Sequence, residues 1–262
     1  MAEAKTAVAH KPIWTDLSTS DAAAARDFYA KLFGWKVEVN PDPQYGGYAL
    51  AKIGGKDVAG IGPKQMEQAP SAWTVYIGTT DAEDTVKKAQ AAGGTVIVPT
   101  MAVGDQGKMA IIQDPSGAMI GVWQAQAMTG AQVIDKPNSM GWAELNSRGV
   151  DKAKPFYTKL FSWGEKVTPA QGEGQVEYTE FQAGGQSIAG AMEMNTMVPA
   201  EVPSYWLVYF NVDDVDQAFN KAKEAGAQEM LAPQDMPGGR FAIVSDPQGA
   251  AFGLLKMEPQ GS

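Results

Sequence analysis

Two carboxylates stand in matching places along the chain and offer the clearest opening for chemistry. Asp16 follows Trp14 in Trp14-Thr15-Asp16-Leu17, and Glu144 follows Trp142 in Trp142-Ala143-Glu144-Leu145. Side chains two apart on a strand share a face, so each carboxylate lies beside an indole. An aromatic wall desolvates a carboxylate and favours its neutral form, and a group tuned that way can act as a general acid or base. It can equally pair with a cationic ligand, or be held by a tyrosine hydroxyl or backbone N–H for structural reasons alone.

Other chemistries are excluded by what the chain lacks. It has no cysteine, hence no disulfide, thiolate ligand or cysteine nucleophile. The single histidine, His10, precedes the first strand and reads as a solvated tail residue, which leaves no serine-hydrolase triad. Gly104-Asp105-Gln106-Gly107-Lys108 is too short for a phosphate-binding loop and lacks the following Ser or Thr. With 21 Lys and Arg against 30 Asp and Glu, the net charge is −9. Such a surface repels phosphate backbones and anionic lipid, so neither nucleic acid nor membrane is expected as a partner. No run approaches the roughly 18 apolar residues of a membrane span, and the first residues hold no apolar stretch of signal length. The expectation is a cytoplasmic protein.

The elements that must position these residues come in duplicate. Phe28-Tyr29-Ala30-Lys31-Leu32-Phe33-Gly34-Trp35 returns as Phe156-Tyr157-Thr158-Lys159-Leu160-Phe161-Ser162-Trp163. The stretch from Trp73 to Asp81 matches Trp206 to Asp214, and Asp114-Pro115-Ser116-Gly117-Ala118 matches Asp246-Pro247-Gln248-Gly249-Ala250. The order is kept throughout, which predicts two domains, residues 1–130 and 131–262, joined between Gln124 and Ser139. Each copy divides again. Asp21 and Asp81 open helices, Thr80-Asp81-Ala82-Glu83 fits a capping box, and Gly34 and Gly93 stand where left-handed caps are needed. Gly54-Gly55 and Gly184-Gly185 predict two-residue hairpins, and Asp114-Pro115-Ser116-Gly117 a type I turn. Each half-copy reads as strand, helix and a meander of three strands, an α+β fold.

On these motifs the chain resembles the vicinal oxygen chelate superfamily of glyoxalases, bleomycin-resistance proteins and extradiol dioxygenases. The carriers are Asp21 followed by Phe28-Tyr29 and Leu32-Phe33-Gly34, and the Asp-Pro-x-Gly-Ala turn before the last strand. The Trp-x-Asp and Trp-x-Glu starts resemble a two-domain actinobacterial branch labelled glyoxalase-like or hydroxylase, which includes a mycobacterial antigen of similar size. The resemblance implies tandem domains, each made of two βαβββ units curling into an open, barrel-like cup that holds a divalent metal and substrate. Its three metal-ligand positions fall on Trp14, Thr74 and Gly121, and in the second copy on Trp142, Leu207 and Gly253. A catalytic divalent site takes three ligands from His, Glu, Asp or Gln, so neither a metal nor another cofactor is expected.

If those positions face the cup, alternation brings in Asp16 with Trp14, Tyr76 with Thr74, Trp123 with Gly121, Glu144 with Trp142, and Tyr209 with Leu207. Glycine at the third ligand position removes a side chain and is expected to enlarge the cavity. Tyr48 and Tyr178 follow the glycine-containing loops Gln44-Tyr45-Gly46-Gly47 and Gly172-Glu173-Gly174, which could be lids or plain turns. Lys108 and Arg240, at equivalent points, are open to an anionic ligand or to ordinary surface pairing. Trp73 and Trp206 point the other way, into the core. The implied function is metal-independent binding of a small molecule, as in resistance or sequestration proteins. The alternatives are a metal-free glyoxalase-like or hydroxylase-like enzyme using Asp16 or Glu144 as acid–base, and an interaction protein with vestigial cups. Monomer and homodimer are both open.

Overall fold

The structure, a computed structural model, describes residues 10–170, 176–194 and 198–258. The Gly172-Glu173-Gly174 loop lies outside them. In chain order the first copy runs β1 (Pro12–Thr19), α1 (Ala22–Phe33), β2 (Lys36–Val39), β3 (Ala49–Ile53), β4 (Lys56–Pro63), β5 (Ala72–Thr79), α2 (Ala82–Ala91), β6 (Thr95–Val103), β7 (Gly107–Gln113) and β8 (Met119–Ala125). The second repeats it as β9 (Met140–Ser147), α3 (Val150–Phe161), β10 (Gly164–Thr168), β11 (Tyr178–Ala183), β12 (Gln186–Glu193), β13 (Tyr205–Asn211), α4 (Val215–Glu224), β14 (Gln228–Met236), β15 (Gly239–Ser245) and β16 (Ala251–Met257). This is βαβββ four times over. The strands order as two mixed eight-stranded sheets, β2-β3-β4-β1-β5-β8-β7-β6 and β10-β11-β12-β9-β13-β16-β15-β14, which remain open rather than closing into barrels.

Local chemistry explains the boundaries. Asp21 caps α1 by accepting from the backbone N–H of Ala23 and Ala24, and Gly34 ends the helix in the left-handed region at φ 72°. The cap of α2 is Asp81, which accepts from Asp84 N–H, and not Thr80 as the capping-box pattern implied. A one-residue shift suffices because Asp is as good a cap as Thr. In α3 the capping position falls on Gly149, which has no side chain to accept a bond. Glu193 at the end of β12 replaces it and takes Gly149 N–H at 3.0 Å and Val150 N–H at 2.8 Å. Both Gly-Gly hairpins have positive φ at their two central residues, the signature of a type I′ turn.

Contacts divide the chain into two compact units that cut across the sequence repeat. Among the described residues, one unit holds those up to Ile13 with Val75–Gly130 and Ala143–Trp206; the other holds Trp14–Thr74, Ala131–Trp142 and those from Leu207 onward. Each therefore combines half of the first copy with half of the second.

The core of each unit carries one buried polar chain. In the second unit Trp73 Nε1 donates to Tyr29 Oη at 2.9 Å, and Tyr29 donates to Asp246 Oδ2 at 3.0 Å. The other oxygen, Asp246 Oδ1, accepts the backbone N–H of Gln248 and Ala250, which folds the Asp-Pro-Gln-Gly turn. In the first unit Trp206, Tyr157 and Asp114 form the same chain at 2.8 and 2.9 Å. The helix motif of one copy thus bonds the turn of the other. Aromatic rings surround each tyrosine: Tyr29 meets Trp73 edge-on at 5.2 Å, and Tyr157 meets Trp206 likewise at 5.3 Å. Trp73 and Trp206 are therefore core residues, as alternation predicts.

Burial and the facing carboxylate raise the ionisation of Tyr29 and Tyr157 well above the ordinary phenol range. Burial also lifts the Asp246 carboxyl, against the pull of its backbone and tyrosine donors. Below about pH 10 the folded and unfolded chains hold the two phenolic protons equally; above it only the unfolded chain releases them, so stability falls as pH rises. In an ultraviolet alkaline titration these two of the eight tyrosines should stay silent until the chain unfolds. Reversible ionisation of all eight in the folded protein would refute the assignment.

Candidate functional site

Asp16 lies half-buried on β1, and Tyr48 comes to it from the residue just before β3. Tyr48 Oη donates to Asp16 Oδ2 at 3.2 Å and accepts from Trp14 Nε1, also at 3.2 Å. Indole, phenol and carboxylate thus form one hydrogen-bonded row. Glycines on β4 make room for it. A Cβ at Gly60 would overlap the Tyr48 hydroxyl and come within 2.9 Å of Asp16 Cβ, and one at Gly62 would stand 2.9 Å from Tyr48 Cδ2. Gly60 is the parallel-strand partner of Asp16. Tyr48 itself is set by a tight turn: its N–H bonds the Tyr45 carbonyl at 2.9 Å, and its carbonyl accepts Asn40 N–H at 2.9 Å. The Gln44–Gly47 segment is therefore a hydrogen-bonded turn that aims the phenol.

The corresponding group of the other unit is more enclosed. Glu144 on β9 retains 8% of its exposure. Tyr178 Oη donates to Glu144 Oε2 at 2.9 Å and Asn146 Nδ2 donates to Glu144 Oε1 at 3.2 Å. Burial, reinforced by the Glu144 charge, raises the ionisation of the neighbouring Tyr205 phenol. Gly190 on β12 pairs with Glu144 as Gly60 does with Asp16, while Met192 takes the place of Gly62. Asn146 was within reach of strand alternation from Glu144, and the Gly60-x-Gly62 spacing on one strand face was a readable sign of close approach. Nothing in the sequence pointed to Tyr205.

The third metal-ligand positions hold a reversal of the expected geometry. Glycine there does not open a cavity. Tyr76, the strand partner of Gly121, lays its ring across it, and a Cβ on Gly121 would overlap that ring with Cγ 2.7 Å away. Tyr209 covers its own partner Gly253 in the same way, with Cγ at 2.5 Å. Each glycine exists because a ring occupies its side-chain space. Trp14 at a first position is an indole donor already bonded to Tyr48. Leu207 has no donor atom. Among the described residues no three of His, Cys, Asp or Glu come together as a metal-binding group. The residues present at these positions do not fit a divalent metal.

Burial separates the expected site residues. Trp14, Tyr76, Trp123, Leu207 and Tyr209 are each at most 5% exposed. Trp123 Nε1 is tied to the Met128 carbonyl at 2.9 Å. Asp16, Tyr48, Thr74, Trp142 and Tyr178 are half-buried. Lys108 pairs with Glu83, and Arg240 with Asp216 and Asp235, in surface ion pairs. His10 is not a loose tail residue: its N–H bonds the Gly78 carbonyl, its own carbonyl accepts Trp163 Nε1, and its ring meets Phe161 at 5.7 Å.

Fold and sequence agree on the class. The chain matches the Glyoxalase/Bleomycin resistance protein/Dioxygenase superfamily over residues 11–122 and 130–254 and belongs to it. It is 40% identical over 255 residues to "Putative glyoxylase CFP32" of Mycobacterium tuberculosis, covering 95% of each chain. It is 36% identical over 260 residues to the anthracycline biosynthesis protein DnrV of Streptomyces peucetius, covering 94% of this chain and 93% of that one. Among solved structures, the Mn(II)-bound glyoxalase from Novosphingobium aromaticivorans aligns with a TM-score of 0.63 at 15% identity, over 94% of this chain and 82% of that one. The 2,3-dioxygenase LapB from Pseudomonas sp. KL28 aligns with a TM-score of 0.66 at 12% identity, over 97% and 95%.

The Tyr76–Gly121 interlock yields a stability prediction. Gly121→Ala should cost about 1–3 kcal/mol by forcing the ring aside, and little once Tyr76→Ala has removed it. Urea denaturation of the two single variants and the double variant measures this. A neutral Gly121→Ala would show that the ring does not fill that space.

Proposed function

We propose that the protein binds a small, partly apolar molecule without a metal, in the manner of a resistance or sequestration protein. The observation that carries this reading is the carboxylate–phenol pair repeated at Asp16–Tyr48 and Glu144–Tyr178. A few fixed polar groups set among aromatic walls are what a small-molecule site requires. The pairs stand in sequence domains 1–130 and 131–262, and each offers an oriented acceptor to a ligand hydroxyl or ammonium. Trp142, Thr74 and the two phenols would supply contact beside it, with Trp14, Tyr76, Trp123, Leu207 and Tyr209 backing the walls.

A second reading follows from the same pairs. A phenol one hydrogen bond from a carboxylate sets a proton donor beside an acceptor, the arrangement a metal-free acid–base enzyme would use. The two readings separate on substitution. The name of the relative DnrV makes an anthracycline the first probe. In calorimetric titration of the whole chain, Asp16→Asn and Glu144→Gln should each weaken binding about tenfold, the loss of one charge-assisted hydrogen bond. Turnover abolished with affinity kept would favour the enzyme. Affinity indifferent to both substitutions, or no saturable binding, would overturn the binding reading and leave an interaction protein with vestigial cups.

A further inference from the structure

We propose that Leu50 and Glu180 give the two carboxylate–phenol sites different specificities: the first takes a ligand whose far end is apolar, the second a ligand whose far end is cationic. The inference rests on the binding reading above and adds to it what each site selects.

Strand register places the two residues equivalently. Residues directly opposite on neighbouring strands share a face. In the first copy Asp16 on β1 pairs with Gly60 on β4, Gly60 with Leu50 on β3, and Leu50 with Glu38 on β2. In the second copy Glu144 on β9 pairs with Gly190 on β12, Gly190 with Glu180 on β11, and Glu180 with Lys166 on β10. Each row thus runs from the site carboxylate over a glycine to Leu50 or Glu180, and ends on a charged edge residue. Two strand spacings, roughly 10 Å, separate Leu50 from Asp16 and Glu180 from Glu144, and the residue between them has no side chain. Leu50 and Glu180 are both half-buried.

Their chemistry is opposite. Leu50 offers only methyl groups, and the charge beyond it is already neutralised: Glu38 is held by Lys36 at 2.8 Å and by Lys52 at 2.7 Å. Burial pushes the Glu180 carboxyl up, but Lys166 and Ser187 outweigh it and hold the group below the ordinary carboxylate range. Glu180 is therefore charged at neutral pH. Lys166 reaches Glu180 Oε1 at 2.8 Å, yet its side chain is 61% exposed. An ion pair that open to water contributes little. A ligand ammonium can take the place of Lys166 while Ser187 keeps its bond to Oε2. Beside Leu50 the same ammonium would lose water and gain no acceptor.

The test is an NMR titration of the labelled whole chain with pentylamine and 1,5-diaminopentane, which share one ammonium and differ only at the other end. Pentylamine is expected to shift the Leu50 and Gly60 amides, and diaminopentane those of Glu180 and Gly190, each with about tenfold preference over the other amine. Glu180→Leu should abolish the diamine preference at the second site, as should Glu180→Gln, which keeps the side-chain shape. Leu50→Glu should create that preference at the first site. Lys166→Met, by removing the internal competitor, should tighten diamine binding, a change that a purely structural ion pair would not produce. One amine preferred by both sites, a preference unmoved by either Glu180 substitution, or no saturable shift at all would overturn the inference. So would weaker diamine binding in Lys166→Met. Anthracycline titration of Asp16→Asn and Glu144→Gln tests the binding reading without reference to Leu50 or Glu180, so the two fail separately.

Discussion

The chain of hydrogen bonds from indole to phenol to turn carboxylate is the contact on which the remaining structure depends. Trp73–Tyr29–Asp246 and Trp206–Tyr157–Asp114 each join a strand, a helix and a turn that lie far apart in sequence. Both phenols are fully buried. Removing either hydroxyl would leave a buried indole N–H and one carboxylate oxygen unmatched, at about 1–3 kcal/mol for such a group. Because each chain spans the two sequence copies, neither half of the duplication can complete its own core. A single copy would expose the aromatic cluster around Tyr29 or Tyr157. Duplication here has made interleaving obligatory.

That core fixes the strands that carry the site, and the site departs from its superfamily in a consistent direction. Metal chemistry needs convergent, deprotonated donors on a strand face. Here those positions are held by indole, aliphatic side chain, Thr and glycine, and both glycines are roofed by a tyrosine ring. The carboxylates Asp16 and Glu144 stand two residues further along those strands, and each accepts a hydrogen bond from a phenol. The two copies are not equal. Tyr48 lies on the Gly60-x-Gly62 bed, whereas the second copy has Met192 in place of Gly62 and adds Asn146 and Tyr205 around Glu144.

Much of this was legible before any coordinates. The duplicated motifs imply four βαβββ units, helix starts at Asp21 and Asp81, and two-residue hairpins at the paired glycines, because capping and turn chemistry act over a few residues. Alternation placed Asp16 beside Trp14 and turned Trp73 inward for the same reason. Three things were not legible. The partner of the Asp-Pro-x-Gly turn is a tyrosine from the other copy, a pairing that local pattern cannot specify. The capping role of Glu193 at Gly149 comes from a distant strand. Glycine at the third ligand position predicts vacant space, whereas a neighbouring ring fills it; the sequence names the missing side chain and not its replacement.

The central claim is that the carboxylate–phenol pairs serve a ligand directly, without a metal between them. Elemental analysis joined to native mass spectrometry, on protein purified without added metal or chelator, addresses it most directly. The account predicts no stoichiometric divalent metal, and any co-purified organic mass lost in Asp16→Asn or Glu144→Gln. One tightly held divalent ion per chain, released by those same substitutions, would contradict it and make the two carboxylates unconventional metal ligands.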